Sequence, residues 1–210
     1  MYPDLMVETT LAKLAQQLNS RHRRAHPEAR ALPPLILMTD PKRLADPCAA
    51  AEHLPPGSGV ILRAYEPPER ERLARELAAI ARHRGLILLI AVDAALAAEV
   101  GAAGVHLPEA LIGRAAQVRR RPGWLVTAAA HSLAALHAAA RAGADAALLS
   151  PVFPTASHPQ AHALGPALFA TLARRAPLPV YALGGIDAKN APLLLASGAA
   201  GIAGIGALSA

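Results

Sequence analysis

The sequence predicts an α/β fold, a single (β/α)8 barrel with an extra N-terminal helix and a truncated last helix, on three observations. Apolar runs of strand length alternate with Ala-rich helical stretches almost from end to end, the pattern of parallel strands joined by right-handed crossovers. Eight such runs can be placed, and most are continuously apolar, which implies burial on both faces. The chain is 53% apolar but only 3% aromatic, so its core must come from Ala, Leu, Val and Ile packed between many short elements. An open doubly wound sheet is the alternative arrangement.

In chain order the expected strands are residues 35–39, 59–63, 86–91, 104–107, 125–129, 146–150, 179–183 and 201–205. Between them, residues 68–84 form the clearest amphipathic helix, with Leu73, Leu77 and Ile80 on one face and Glu69, Arg72 and Glu76 on others. Pro67 and Pro68 suit its first turn. Ser132 is placed to cap a helix over 133–142, and Asn190 to open the one that contains Leu193 to Leu195. After the eighth strand too little chain remains for a covering helix, whereas Leu11, Leu14 and Leu18 form an apolar stripe near the start. Residues 1–30 are therefore expected as a helical extension that covers part of a barrel over 31–210.

The 210 residues carry no linker or shift in composition that would divide them. Asp4 and Glu8 interrupt any export signal, and no window reaches the roughly 18 apolar residues of a membrane span. A cytoplasmic protein without membrane contact is expected. The single cysteine, Cys48, makes no internal disulfide and is read as a small residue in an Ala-rich helix. The net charge of +6 comes mostly from scattered arginines with few aromatics among them, so nucleic acid is the weaker reading and capture of an anionic substrate the stronger. Arg21, His22, Arg23 and Arg24 are read as a solvated helix end.

In a barrel of this kind the functional side chains occupy the C-terminal strand ends and the loops beyond them. Gly184 and Gly185 follow strand 7, and Gly204, Ile205 and Gly206 end strand 8. Glycines there let backbone N–H groups approach a phosphate without a lysine. Strand 6 leads into a Pro-stiffened loop that offers Thr155, Ser157 and His158 to a ligand and runs to Gly165. Pro159 opposes the helix that would aim His158 and His162 at one ion, so no metal site is expected. Arg63 ends strand 2, where a guanidinium suits an anion. His131 follows strand 5 and His106 closes strand 4, where an imidazole suits proton transfer.

Ala103 to Leu107, Ser150 to Thr155, Leu183 to Ile186 and the glycine-rich eighth strand together resemble the thiamine-phosphate synthase and TenI-type thiazole tautomerase family. The resemblance runs in order from about Leu35 to the C-terminus and implies a TIM barrel. It also implies that Thr155, Gly165, Gly184, Gly185, Ile205 and Gly206 hold a small phosphorylated thiazole-type ligand. In the synthases a magnesium ion and polar side chains hold a departing pyrophosphate, and here those positions are altered. The family's Gln-Leu-Arg-Glu-Lys reads Ile61-Leu62-Arg63-Ala64-Tyr65, and its Asn-Asp pair reads Ala91-Val92. A metal-binding Asp stands at Leu111, a serine at Ala129 and a lysine at His158. His131 matches the histidine that shuttles a proton in the tautomerases. The resemblance therefore implies a thiazole phosphate binder with metal-free tautomerisation through His131, helped by Arg63 and His158. The alternatives are a divergent synthase, with Arg63, Tyr65, Asp93 and His158 arranged around the diphosphate and magnesium as cofactor, or a non-catalytic phosphate-binding barrel. A homodimer is compatible with each.

Overall fold

The computed structural model describes residues 3–63, 66, 68–118, 121–155 and 162–205, with side chains from Thr10 onward. Eight parallel strands close into a barrel in sequential order: β1 Leu35–Met38, β2 Gly59–Leu62, β3 Ile87–Ala91, β4 Gly104–Leu107, β5 Leu125–Ala130, β6 Ala146–Leu149, β7 Val180–Leu183 and β8 Gly201–Gly204. The ring closes by pairing of Ile36 with Ala203 and of Leu37 with Gly204. The open sheet is thereby excluded. Helices α1 Pro3–Ala25, α2 Pro47–His53, α3 Glu69–Arg84, α4 Ala94–Glu99, α5 Ala115–Val118, α6 Leu133–Arg141 and α7 Gly165–Arg175 lie outside it, with 3-10 segments at Glu109–Arg114 and Ala191–Leu194. No helix among the described residues is long and apolar enough to cross a membrane.

Several expected strand ends shift by one residue, and hydrogen bonding explains why. The Leu86 amide donates to Ala81 O behind Gly85, whose left-handed φ of 66° ends α3, so Leu86 belongs to the helix cap. Pro179 has no N–H and contributes only its carbonyl, to Ala147 N. At the end of β2 the Arg63 amide donates to Thr39 Oγ1 at 3.0 Å, and that hydroxyl donates back to Arg63 O at 3.2 Å. A side chain has replaced the ladder there, so the polar residues at 39 and 63 stand beyond the strands.

Leu73 and Leu77 are buried on α3, with Ile80 half-buried beside them, while Glu69, Arg72 and Glu76 face outward. Pro68 stands at the N-cap of that helix; Pro67 lies outside the described residues. Ser132 caps α6 by accepting the Ala135 amide at 3.1 Å. Asn190 behaves differently from expectation. Its side chain donates to Gly185 O at 2.8 Å and accepts the Asp187 amide at 3.0 Å, so it ties the turn after β7 instead of capping the 3-10 segment that follows. Cys48 sits half-buried in α2 with its thiol pushed up to about 11, first by burial and then by Glu76.

The N-terminal helix packs on β8 and β1. Leu11, Ala15 and Leu18 are buried in the same apolar cluster as the strands, and Leu14 is half-buried beside them. Asn19 Nδ2 reaches Ala200 O at 2.8 Å and Leu32 O at 3.3 Å, so the buried amide is satisfied. Its basic end is largely solvated: Arg21, Arg23 and Arg24 are exposed, Arg21 donating to Leu195 O, and only His22 of the four is half-buried. Residues 206–210, where a shortened last helix was expected, lie outside the described residues. Burying one leucine contributes roughly 1.5–3 kcal/mol, so α1 supplies several kcal/mol of the barrel's stability. Deleting residues 1–25 should lower the melting temperature by roughly 10 °C or more, read by circular dichroism; undiminished thermal stability would show that α1 is dispensable.

Candidate functional site

The C-terminal ends of the strands surround a cavity of about 410 Å³. Its wall takes Met38 from β1, Arg43 from the loop that follows, Arg63 after β2, Ala91 and Val92 from the end of β3, and His106 and Pro108 from the end of β4; Arg43 was not singled out from the sequence. It continues through Ala129 and His131, Ser150, Pro151 and Thr155, then Leu183 to Ile186 and Ala203 to Ile205. Parallel strands carry their C-terminal residues to one end of the ring, and the loops complete the wall. Of the residues expected at the site, His131, Arg63, Thr155, Gly184, Gly185 and Ile205 line the cavity. His158 and Gly206 lie outside the described residues, as does Tyr65.

Gly165 is placed differently. It opens α7 away from the cavity lining, and its amide donates to Val152 O at 2.8 Å. Its φ is 70°, and because this bond ties the start of α7 to Val152 its N–H is already used.

The glycines after β7 do two things. The β6 loop runs beside them, with the Val152 amide on Leu183 O at 2.9 Å and the Phe153 amide on Gly184 O at 3.0 Å. A Cβ on Gly185 would lie 2.3 Å from Pro154 O, and one on Gly184 2.9 Å from Pro151 Cα. Both positions also have positive φ, 65° at Gly185 and 98° at Gly184. Glycine is therefore required by the packing of the two loops, and a valine at 185 reports on folding before it reports on any ligand. The register of β7 on β8 turns the Gly184 amide to Ala203 O, whereas the amides of Gly185, Ile186 and Ile205, which also line the cavity, have no acceptor among the described residues.

Opposite them the wall is different. His106 is buried and its Nδ1 lies 2.9 Å from Thr127 Oγ1. Burial, and then the nearby Arg63 cation, push its pKa down to about 4, so the ring is neutral at physiological pH. Arg63 Nη2 is held by Asp40 Oδ2 at 2.8 Å, so the guanidinium enters the cavity already paired with a carboxylate. Asp40 was not singled out from the sequence. Neither was Glu109, whose Oε2 accepts the His131 amide at 2.8 Å and lies 2.7 Å from His131 Nδ1. Its position two residues past β4, in a loop at the mouth, is the signal that marks it.

The described residues do not fit a magnesium ion. Magnesium demands several hard oxygen ligands, yet Ala91, Val92 and Ala129 present only apolar side chains to the cavity. Asp93 caps α4 by accepting the Leu96 amide at 2.9 Å, Asp40 holds Arg63 and Glu109 holds His131. Among the described residues no three His, Cys, Asp or Glu side chains come together around a common point.

Comparison with known proteins follows the same outline. A family model described as thiamine monophosphate synthase (TMP-TENI) matches residues 35–208. A putative thiamine-phosphate synthase 2 of Aquifex aeolicus is 38% identical over 148 residues, covering 70% of this chain and 80% of that protein. A putative thiamine-phosphate synthase of Geobacter sulfurreducens is 40% identical over 159 residues, covering 72% of this chain and 73% of the other. In three dimensions the chain is similar to a thiamine phosphate pyrophosphorylase from Pyrococcus furiosus, with a TM-score of 0.68 at 24% identity over 81% of this chain and 84% of that one.

The buried imidazole makes stability depend on pH. The His106 ring has a folded pKa of about 4 against 6.5 for the free side chain, so the unfolded chain takes up a proton as pH falls while the folded chain does not. Its contribution is complete above pH 6.5 and is lost progressively toward pH 4, by which point the loss amounts to about 3 kcal/mol. Denaturant titrations of the wild type and His106→Gln over this range should show a shallower decline in the variant; equal slopes would contradict the assignment.

Proposed function

The chain belongs to the thiamine-phosphate synthase family, and on that premise we propose that the cavity at its barrel mouth takes a small phosphorylated thiazole-type substrate. One observation carries the proposal: the unengaged amides of Gly185, Ile186 and Ile205 belong to residues that line the cavity where strands 7 and 8 end. Backbone donors grouped in this way suit three phosphate oxygens, and a side-chain cation is not needed to hold them. Thr155 adds a hydroxyl from the β6 loop. Gly165 is left with a supporting role, since its amide holds that loop. Gly206 would extend the donor group.

Two reactions can follow. The names of the relatives support coupling of the thiazole phosphate to a pyrimidine pyrophosphate more than they support tautomerisation. In that reading Arg63 compensates the charge of the diphosphate, but the magnesium used elsewhere in the family has no fitting ligands among the described residues. The second reading is metal-free proton transfer at the thiazole ring, and the observation that favours it is the His131–Glu109 contact at 2.7 Å beside a neutral, apolar wall. Here His131 moves the proton, and Arg63 and His158 assist in binding. Both readings place the protein in thiamine metabolism, and the cytoplasm suits it.

The purified protein should be assayed for thiamine phosphate formation from both substrates with and without magnesium, and for solvent deuterium exchange into the thiazole alone. Coupling predicts product only when both substrates are present. Proton transfer predicts metal-independent exchange that falls by at least about 100-fold in His131→Ala. Absence of both activities, with no retention of thiazole phosphate, would overturn the proposal.

A further inference from the structure

We propose that Glu109 is a positioning residue that holds His131 with its proton on Nδ1 and leaves Nε2 as the ring nitrogen that meets the cavity ligand. Its use in turnover rests on the proton-transfer reading above, but the tautomer follows from geometry alone.

The register of the barrel brings the two residues together. Leu107 at the end of β4 pairs with Ala128 of β5, so Glu109, two residues past Leu107, and His131, three past Ala128, leave neighbouring strands side by side. Pro108, with φ −63° and ψ 157°, keeps the backbone extended for one more residue before the 3-10 segment begins at Glu109. A single oxygen, Oε2, then accepts the His131 amide at 2.8 Å and lies 2.7 Å from the ring Nδ1.

A carboxylate in its ionised form only accepts hydrogen bonds. A contact of 2.7 Å from it to Nδ1 is therefore a hydrogen bond only when Nδ1 carries the proton. The neutral ring must then keep its lone pair on Nε2. Because the same oxygen also binds the backbone amide of the same residue, it fixes ring direction as well as tautomer, leaving His131 little freedom to turn. Both side chains are exposed enough that the pair adds little to stability. Its effect is orientation, as for a carboxylate behind a catalytic imidazole.

The test is nitrogen NMR on protein labelled with 15N-histidine, following long-range proton–nitrogen correlations of His131 through its titration so that the neutral ring is observed. The wild type should show the Nδ1–H form, opposite to the Nε2–H form that an unconstrained histidine prefers. Glu109→Ala should revert to Nε2–H with an unchanged circular dichroism spectrum, and Glu109→Gln, which keeps an acceptor oxygen, should restore part of the Nδ1–H population. In the deuterium-exchange assay Glu109→Ala should lower kcat at least about ten-fold with little change in KM, since a base in the wrong tautomer has no lone pair at Nε2. A wild-type His131 protonated on Nε2, or a tautomer indifferent to Glu109→Ala, overturns the proposal. An Nδ1–H wild type that responds to Glu109→Ala while His131→Ala leaves every activity intact sustains the positioning and refutes only the acid–base reading.

Discussion

The return of β8 to β1 is the constraint on which the mouth of this barrel depends. Residues from every strand reach one cavity only because the ring closes, and closure brings backbones very near one another at Gly201. A Cβ there would lie 2.2 Å from Pro34 O and 2.8 Å from the Tyr181 ring. Tyr181 is itself fixed, its hydroxyl donating to Pro33 O at 2.6 Å inside the core. Asn19 of α1 secures the same seam from outside through Ala200 O. The N-terminal helix therefore protects the closing pair, and the positions of Gly204 and Ile205 at the cavity follow from it.

Once closed, the mouth separates into two chemically different sides. Along β7 and β8 the wall is glycine and small or aliphatic residues, and the amides of Gly185, Ile186 and Ile205 have no acceptor among the described residues. Along β3 to β5 it is apolar apart from a neutral buried imidazole and a histidine held by a carboxylate. Among the described residues, Asp40 binds a guanidinium, Asp93 a helix amide, Glu109 an imidazole and Asp187 the amides of its own turn. Bringing a metal there would require breaking one of these bonds and supplying further oxygen ligands. Unengaged backbone amides belong to the β7–β8 side, and the cationic residues of the lining, Arg43 and Arg63, come from the segments after β1 and β2.

Continuous apolar runs made the eight strands legible, because parallel strands buried on both faces have few other sequence patterns open to them. Their ends were less legible, since Leu86, Thr39 and Arg63 are assigned by individual hydrogen bonds that no periodicity carries. The glycines after strand 7 pointed to the cavity, but their second duty, packing against Pro151 and Pro154, depends on a loop more than thirty residues earlier in the chain. Glu109 escaped notice because its importance lies in what it touches across the strand boundary. Asn190 was read as a helix cap for the opposite reason: its local pattern fits one, whereas its partner, Gly185 O, precedes it.

The division of the mouth is tested most directly by calorimetric titration of the purified protein with thiazole phosphate and, separately, with the pyrimidine pyrophosphate in the presence and absence of magnesium. Phosphate held by the amides after β7 and β8 predicts that thiazole phosphate binds by itself, with an affinity that magnesium and its removal by chelator leave unchanged. Absence of thiazole phosphate binding, together with magnesium-dependent binding of the pyrophosphate, would contradict it and would place the working half of the site on the side of β1 to β3.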